Sequence, residues 1–330
     1  MSAFRSFRIL CCGKAMLGYI FNRLSYIIIV LLLLSAIIFS VTHLLPGSAA
    51  NLILGEYATE EKIRNLEKQL GLDKPFYLQY WNWLKYIPSG DWGQSMIMKK
   101  PVTEIITLRL KNSAYLAAIA MILVIFVGIP LGAIAAIRHK TKLDLVIVAG
   151  SYVGISVPEF VTGTLLLVLL AGPAVGIFPT GGYQEFSAGV TGWFSHLLLP
   201  AMTLTLILLA HVVRQTRSGM ISVLKSNYVR SARLKGASEL RVIMKHALRN
   251  GLLPTITVLA MDVGYLMGSI VIVEEVFAYP GMGRLIIYSV QNRDIPVLQM
   301  TVLTVGIVYT VSNFVADLLY AYLDPRIRYR

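Results

Sequence analysis

Glu159 and Asp262 are placed where an acid has consequences, because both stand deep inside runs apolar enough to cross a bilayer. Counted from the ends of those runs near Leu145 and Leu252, they lie roughly 21 Å and 15 Å along their helices at the standard rise. Both depths fall within a hydrocarbon core about 30 Å thick. An acid there costs on the order of 2.5–3.5 kcal/mol, so a lipid-facing position is disfavoured. Two arrangements remain. The acids face a path across the membrane and favour a cationic group on a passing solute, or each is protonated or hydrogen-bonded between helices.

Other residue types that could carry chemistry are poorly placed for it. The five histidines, His43, His139, His196, His211 and His246, show no metal-ligand spacing. His196 and His211 begin and end one apolar run, about 22 Å apart at the helical rise, and read as interfacial polar residues. Cys11 and Cys12 are adjacent, which makes no disulfide framework, and a cytoplasmic position keeps them reduced. No Gly-x4-Gly-Lys-Ser/Thr phosphate loop occurs, and the lone Gly13-Lys14 lacks the frame for one. Candidate hydroxyls are scattered through the apolar runs, so neither a Ser–His–Asp set nor intramembrane proteolysis can be argued. The chain reads as a non-enzyme with no cofactor and no metal.

The remaining concentration of charge is the stretch from Tyr228 to Pro254. Between Arg214 and Arg249 there are nine Lys or Arg residues against one acid, Glu239. A cationic loop between two apolar runs belongs on the cytoplasmic side, because translocation of Lys and Arg is disfavoured. Gly236 interrupts two helix-like pieces, and Ser238 is a candidate N-cap for the second. Such a pair, displayed beside a membrane, suits docking of a soluble partner.

Composition places the elements that must position these residues in a membrane. Hydrophobic residues make up 56% and charged residues 14%, with mean hydropathy +0.68. The +13 net charge punctuates the apolar runs and forms no continuous face, which argues against nucleic acid and for topology and anionic lipid. An all-α membrane protein with six transmembrane helices follows. Residues 1–25 form a basic leader at the cytoplasmic surface, and 26–45 form the first span, too long for the roughly 7–15-residue core of a cleaved signal peptide. Residues 46–112 are polar, with an amphipathic helix from Glu60 to Leu70 ended by Gly71 and an aromatic-rich stretch from Pro75 to Tyr86. They make a periplasmic segment. Residues 113–323 hold the other five spans, at 113–137, 145–171 (broken by Pro158), 196–213, 252–273 and 297–322, with the basic loop at about 221–250. Residues 324–330 are a cytoplasmic tail. The four segments assigned to the cytoplasm carry nineteen Lys or Arg against three acids.

At the basic loop the chain resembles a known family. Ala232-Arg233-x-Lys235-Gly236, His246-Ala-Leu-Arg-Asn250 and Leu253-Pro254 are similar to the cytoplasmic coupling loop of bacterial ABC importer permeases, in the dipeptide, oligopeptide and nickel branch. The general form is Glu-Ala-Ala, three residues, Gly, nine residues, then Ile-x-Leu-Pro. Arg230-Ser231-Ala232 stand where Glu-Ala-Ala would, His246 where Ile would, and the proline comes five residues late. Leu45-Pro46-Gly47, Leu70 to Pro75, Gly90 to Ser95, Pro101-Val102, Glu275 to Arg284 and Asn292 to Pro296 resemble the same family in order, with Ser48 replacing an expected aspartate. The type I importer permease fold is the implied architecture.

The resemblance implies that Ala232, Arg233, Lys235, Gly236, Ala237, Ser238, Glu239 and Arg241 meet an ATPase. Phe277, Tyr279 and Pro280 are too apolar and rigid for a water-facing turn, so Glu275, Phe277, Pro280, Gly281, Gly283 and Arg284 are expected to pack at the external mouth, either shaping an external gate and a landing surface for the binding protein or capping the fifth and sixth spans. The implied partners are a second permease, two cytoplasmic ABC ATPases, an extracytoplasmic substrate-binding protein and the lipid bilayer, with no nucleic acid. Short peptides are the first cargo expected, with nickel or another metal chelate second and opine- or sugar-like solutes also open. A stand-alone secondary transporter is the rival from another class. It fits poorly, because the spans show no duplicated halves and a coupling loop would have nothing to engage.

Overall fold

The computed structural model describes residues 2–44, 59–70, 73–173 and 175–323. The Leu45-Pro46-Gly47 turn, Ser48, Gly71-Leu72 and the closing 324–330 tail lie outside the described residues. The described chain is helical, with a single isolated bridge between Gln94 and Pro101. Its helices are α1 (Ser2–Leu44), α2 (Glu60–Leu70), α3 (Phe76–Tyr86), α4 (Val102–Ile137), α5 (Lys142–Ser156) and α6 (Glu159–Ala171). They continue with α7 (Val190–Leu224), α8 (Asn227–Leu234), α9 (239–251), α10 (Leu253–Val276), α11 (Met282–Gln291) and α12 (Ile295–Leu323).

Long helices are what an apolar chain must form in lipid, where every backbone N–H and C=O has to be satisfied within its own segment. Five of them are long and apolar enough to cross a membrane, and α5 with α6 make a sixth candidate bent by 105°. The bend has a local cause. Val157, preceding Pro158, is extended at φ −101° and ψ 130°, as a residue before proline prefers. The Pro158 carbonyl then accepts from the N–H groups of Val161 and Thr162 at 3.0 and 3.1 Å to start α6. Large apolar side chains such as Phe126 and Leu145 are exposed, as lipid contact demands and water would penalise. Helix α4 begins at Val102, well before the charge-free run, so its first turns carry Glu104, Arg109 and Lys111.

The chain divides into two compact units. The first takes the described residues up to Lys111 and those from Leu285 to Ile307. In it, Phe39 and His43 near the end of α1 pack on Phe76 and Tyr80 of α3, with ring centroids between 5.3 and 5.4 Å for the Phe39 pairs and His43–Phe76. Tyr80 and Ser35 hydroxyls bond at 2.8 Å, and Gln299 donates to Thr42 at 2.6 Å. Buried Asp294 accepts from the Ser95 hydroxyl and from the Met96 and Ile97 N–H groups, at 3.2 and 3.4 Å for the latter two.

The second unit takes Asn112 to Arg284 and the described residues from Val308. Helix α7 is its axle, packed by α5, α6, α9 and α10. Small residues permit these approaches. A Cβ built on Gly154 of α5 would overlap the Leu206 carbonyl of α7, and one on Gly219 of α7 would overlap the Gly251 carbonyl at the end of α9. At that second crossing the two backbones touch with no side chain between them.

Candidate functional site

Helix α8 ends in a Schellman motif built on Gly236. The Gly236 N–H bonds the Arg233 carbonyl at 2.9 Å and the Ala237 N–H bonds the Ala232 carbonyl at 3.2 Å, with Gly236 at φ +81°. Ser238 occupies the backbone position of an N-cap for α9, but its side chain makes no capping bond; its carbonyl accepts from Val242 N–H at 3.0 Å instead. Helix α9 runs as an α-turn at Glu239–Arg241, π-helical turns over Val242–Leu248 and a last turn at Arg249–Gly251.

Three contacts hold α8 and α9 at a fixed angle. Arg233 forks onto Glu239 at 2.8 and 3.2 Å across the bend. Tyr228 donates to the His246 carbonyl at 2.9 Å, and the Asn250 amide donates to the Tyr228 hydroxyl at 2.9 Å. Val229, Val242 and Ala247 are buried beneath. The opposite face is open: Leu234 is 81% and Leu240 72% exposed, with Met244 also exposed. Arg233, Lys235, Ser238, Glu239 and Arg241 are exposed around them, while Ala232 and Ala237 are half-buried. An apolar ridge ringed by bases at a rigid elbow is a protein-docking surface in form.

The segment from Glu275 to Arg284 is packed, not solvated. Phe277, Tyr279, Gly281, Met282 and Gly283 are buried, Pro280 is half-buried, and Glu275 is exposed with Arg284 3.8 Å away. Its anchor is Glu274, which sequence reasoning passed over for its neighbour. Glu274 is 0% exposed and accepts from the Ser113 hydroxyl at 2.5 Å and from the Gly283 and Arg284 N–H groups at 2.7 and 3.3 Å. A Cβ on Gly281 would overlap this carboxyl group, and one on Gly283 would overlap the main chain at Val271. Asn112 donates to the Pro280 carbonyl at 2.9 Å, and the Tyr279 hydroxyl donates to the Asn112 carbonyl at 3.1 Å. Burial pushes the Tyr279 hydroxyl well above its ordinary range, so it remains a donor.

Both acids inside the apolar runs are hydrogen-bonded within the chain. Half-buried Glu159, at the start of α6, accepts from Ser269 of α10 at 2.7 Å. Asp262 of α10 is buried and its Oδ1 accepts from His211 Nδ1 of α7 at 3.0 Å. Its Oδ2 is buried with no partner among the described residues. His211 thus has a partner within the chain that the sequence did not indicate. It lies inside α7, paired with an acid and edge-on to Tyr265 at 5.9 Å. His196 bonds the Gly192 carbonyl of its own helix at 2.7 Å. Glu159 and Asp262 thus bond different partners, Ser269 and His211, and no hydrogen bond joins the two acids among the described residues.

One cluster had no signal in the sequence. Asp144, buried at the start of α5, accepts from Arg217 Nε and Nη2 of α7 at 2.6 and 2.8 Å and from Lys140 N–H at 2.9 Å. Arg217 also donates to His139 Nδ1 at 3.0 Å. Lys140 adopts φ +66° to aim its N–H inward.

Residues 128–329 match the profile of the family described as "Binding-protein-dependent transport system inner membrane component", and residues 16–117 match that family's N-terminal profile. The chain is 38% identical over 315 residues to "Glutathione transport system permease protein GsiC" of Salmonella choleraesuis (strain SC-B67), covering 96% of this chain and 100% of that protein. It is 36% identical over 311 residues to "Probable peptide ABC transporter permease protein y4tP" of Sinorhizobium fredii, covering 94% and 99%. Among solved structures, the inward-facing MetNI methionine ABC transporter aligns at TM-score 0.55 and 13% identity, over 67% of this chain and 96% of that one, which is a likeness of fold.

Proposed function

From the premise that this chain belongs to the family of binding-protein-dependent transport system inner membrane components, we propose that it carries short peptides across the bacterial inner membrane as the permease of an ATP-driven importer. The multi-pass membrane permease role follows from the family and the apolar helices. The peptide cargo rests on the glutathione and peptide permeases among its relatives. Two cytoplasmic ATPases, a second permease and an extracytoplasmic binding protein complete the assembly, and both termini of the chain face the cytoplasm.

The observation that carries the coupling role is the α8–α9 elbow, with Leu234, Leu240 and Met244 exposed among bases. ATP acts here only through the partner: closure of the ATPases moves the elbow, and α7 and α10 reorient with it. A ligand can shift such an equilibrium only by its differential contacts with the two states. Gly236→Leu tests this. No atom stands within 4 Å of a Cβ there, so the cost is the left-handed backbone angle, about 1 kcal/mol, and a changed elbow. Membrane insertion is expected to survive while ATPase association and transport fall about tenfold or more. Normal co-purification with the ATPase and normal transport would remove the assignment of residues 232–241 to docking.

Glu159 and Asp262 supply the cargo preference in this reading. The unpartnered Oδ2 of Asp262 supports it, since a buried acceptor without a donor is costly unless something meets it. Glu159→Gln and Asp262→Asn, made separately, are expected to lower transport of cationic peptides about tenfold while sparing neutral ones. Equal effects on both cargo classes would leave the acids a purely structural role.

A further inference from the structure

The first unit contains a cavity of about 400 Å³ that none of the transport steps above uses. Its volume lies within the roughly 300–1,000 Å³ range of small-molecule sites. Trp83, Tyr86 and Trp92 contribute aromatic rings to its lining, with Asp91, Gln299 and Met300 among the other lining residues. Among the described residues, no Lys, Arg or His lines it.

Beside the Trp83 indole N–H and the Tyr86 hydroxyl, the remaining polar side chains of the lining are set to accept. The Trp92 indole N–H is already spent on the Ile87 carbonyl at 3.0 Å, which fixes that ring. Trp83 is fixed too, with its centroid 5.5 Å from Phe39 and 6.2 Å from Tyr80. The Gln299 amide nitrogen is committed to Thr42, leaving its oxygen as an acceptor. Asp91 receives only a long bond, 3.3 Å, from Gly93 N–H to Oδ1, and no donor of the described chain meets Oδ2. A carboxylate with a free oxygen, beside fixed indole rings and without a basic side chain, attracts cations and repels anions. The chain makes the same pairing on the neighbouring turn, where Lys85 Nζ lies 5.4 Å from the Trp81 ring centre.

We propose that this cavity binds an alkylammonium group, with Asp91 as counter-ion and Trp83, Trp92 and Tyr86 as its aromatic wall. The packing of α3 on Phe39 and His43, at the end of the first apolar run, sets the cavity at the membrane boundary. Two sources of that group reach such a boundary: the ethanolamine head of a lipid and the free amine of a soluble peptide. The site is independent of the peptide-cargo reading and stands or falls on its own.

The test uses the assembled transport complex in lipid nanodiscs, with choline and its neutral isostere 3,3-dimethylbutan-1-ol as probes in equilibrium dialysis. In phosphatidylglycerol discs choline is expected to bind about fivefold more tightly than the isostere, the discrimination a solvent-accessible cation–π site gives. Asp91→Asn and Tyr86→Leu, both at exposed positions, are each expected to weaken choline binding while leaving assembly intact. Loss of choline binding when phosphatidylethanolamine replaces phosphatidylglycerol identifies the lipid head as occupant. Retained binding, with competition by a dipeptide but not by its N-acetyl form, identifies the soluble amine. The proposal is overturned if choline fails to bind in phosphatidylglycerol discs, if the isostere binds equally well, or if Asp91→Asn leaves choline binding unchanged.

Discussion

Glu274→Ala is expected to cost the second unit on the order of 3–5 kcal/mol. Glu274 is fully buried, and its carboxyl group gathers the Ser113 hydroxyl and the N–H groups of Gly283 and Arg284. Alanine removes every acceptor at once and leaves these donors in a site that admits no water-facing alternative. The Ser113 hydroxyl also accepts from Met282 N–H at 2.8 Å, so the loss spreads to both ends of the 274–284 segment. The measurement is the thermal midpoint of the purified complex and its yield in membranes. Glu275→Ala is the control: it is exposed, and its change is expected to stay within about 0.5 kcal/mol. Equal effects at the two positions would sink this account of the segment. Gly281→Ala should reproduce the Glu274 defect, because a Cβ there displaces the same carboxyl group.

Asp144→Ala comes second, with an expected loss of about 3 kcal/mol. It strands Arg217, whose side chain is only 27% exposed and whose guanidinium forks onto Asp144 from a different helix. The double variant Asp144→Ala with Arg217→Met should recover part of that loss, since a neutral apolar pair leaves no uncompensated charge. Thermal unfolding of the wild type, both single variants and the double variant measures the coupling. Strict additivity would mean that the pair contributes nothing beyond two solvated charges.

What was legible in the sequence was what a bilayer or a backbone angle dictates locally. A run such as 253–276 must be a helix because lipid offers its backbone no other partners. Gly236 was visible as a break because a left-handed residue after a helix is so often glycine. Pro158 announced a break for the same local reason, but the 105° angle depends on what α6 then packs against. Pairings between distant residues carried no local mark. His211 and Asp262 are 51 residues apart, and Ser113 and Glu274 are 161 apart. Nor could adjacent Glu274 and Glu275 be told apart, since one step of about 100° around a helix decides which turns inward. The choice of Glu275 for the gate followed the motif; the buried contacts belong to its neighbour.

The glycine crossing of α7 and α9 sets a mechanical limit on the machine. Where Gly219 meets the Gly251 carbonyl, no rotamer stands between the two main chains to yield under load. A joint padded by a leucine would lose the first part of any stroke to side-chain reorientation before the far helix felt it. At that point the approach of α9 to α7 is main chain to main chain, flanked by Met220 packed on Ala247, and α7 in turn is met by α5 at Gly154. Gearing of this kind favours small, stiff strokes over large, compliant ones. A load taken up by α9 would pass to α7 through such a contact with little capacity to be stored as strain.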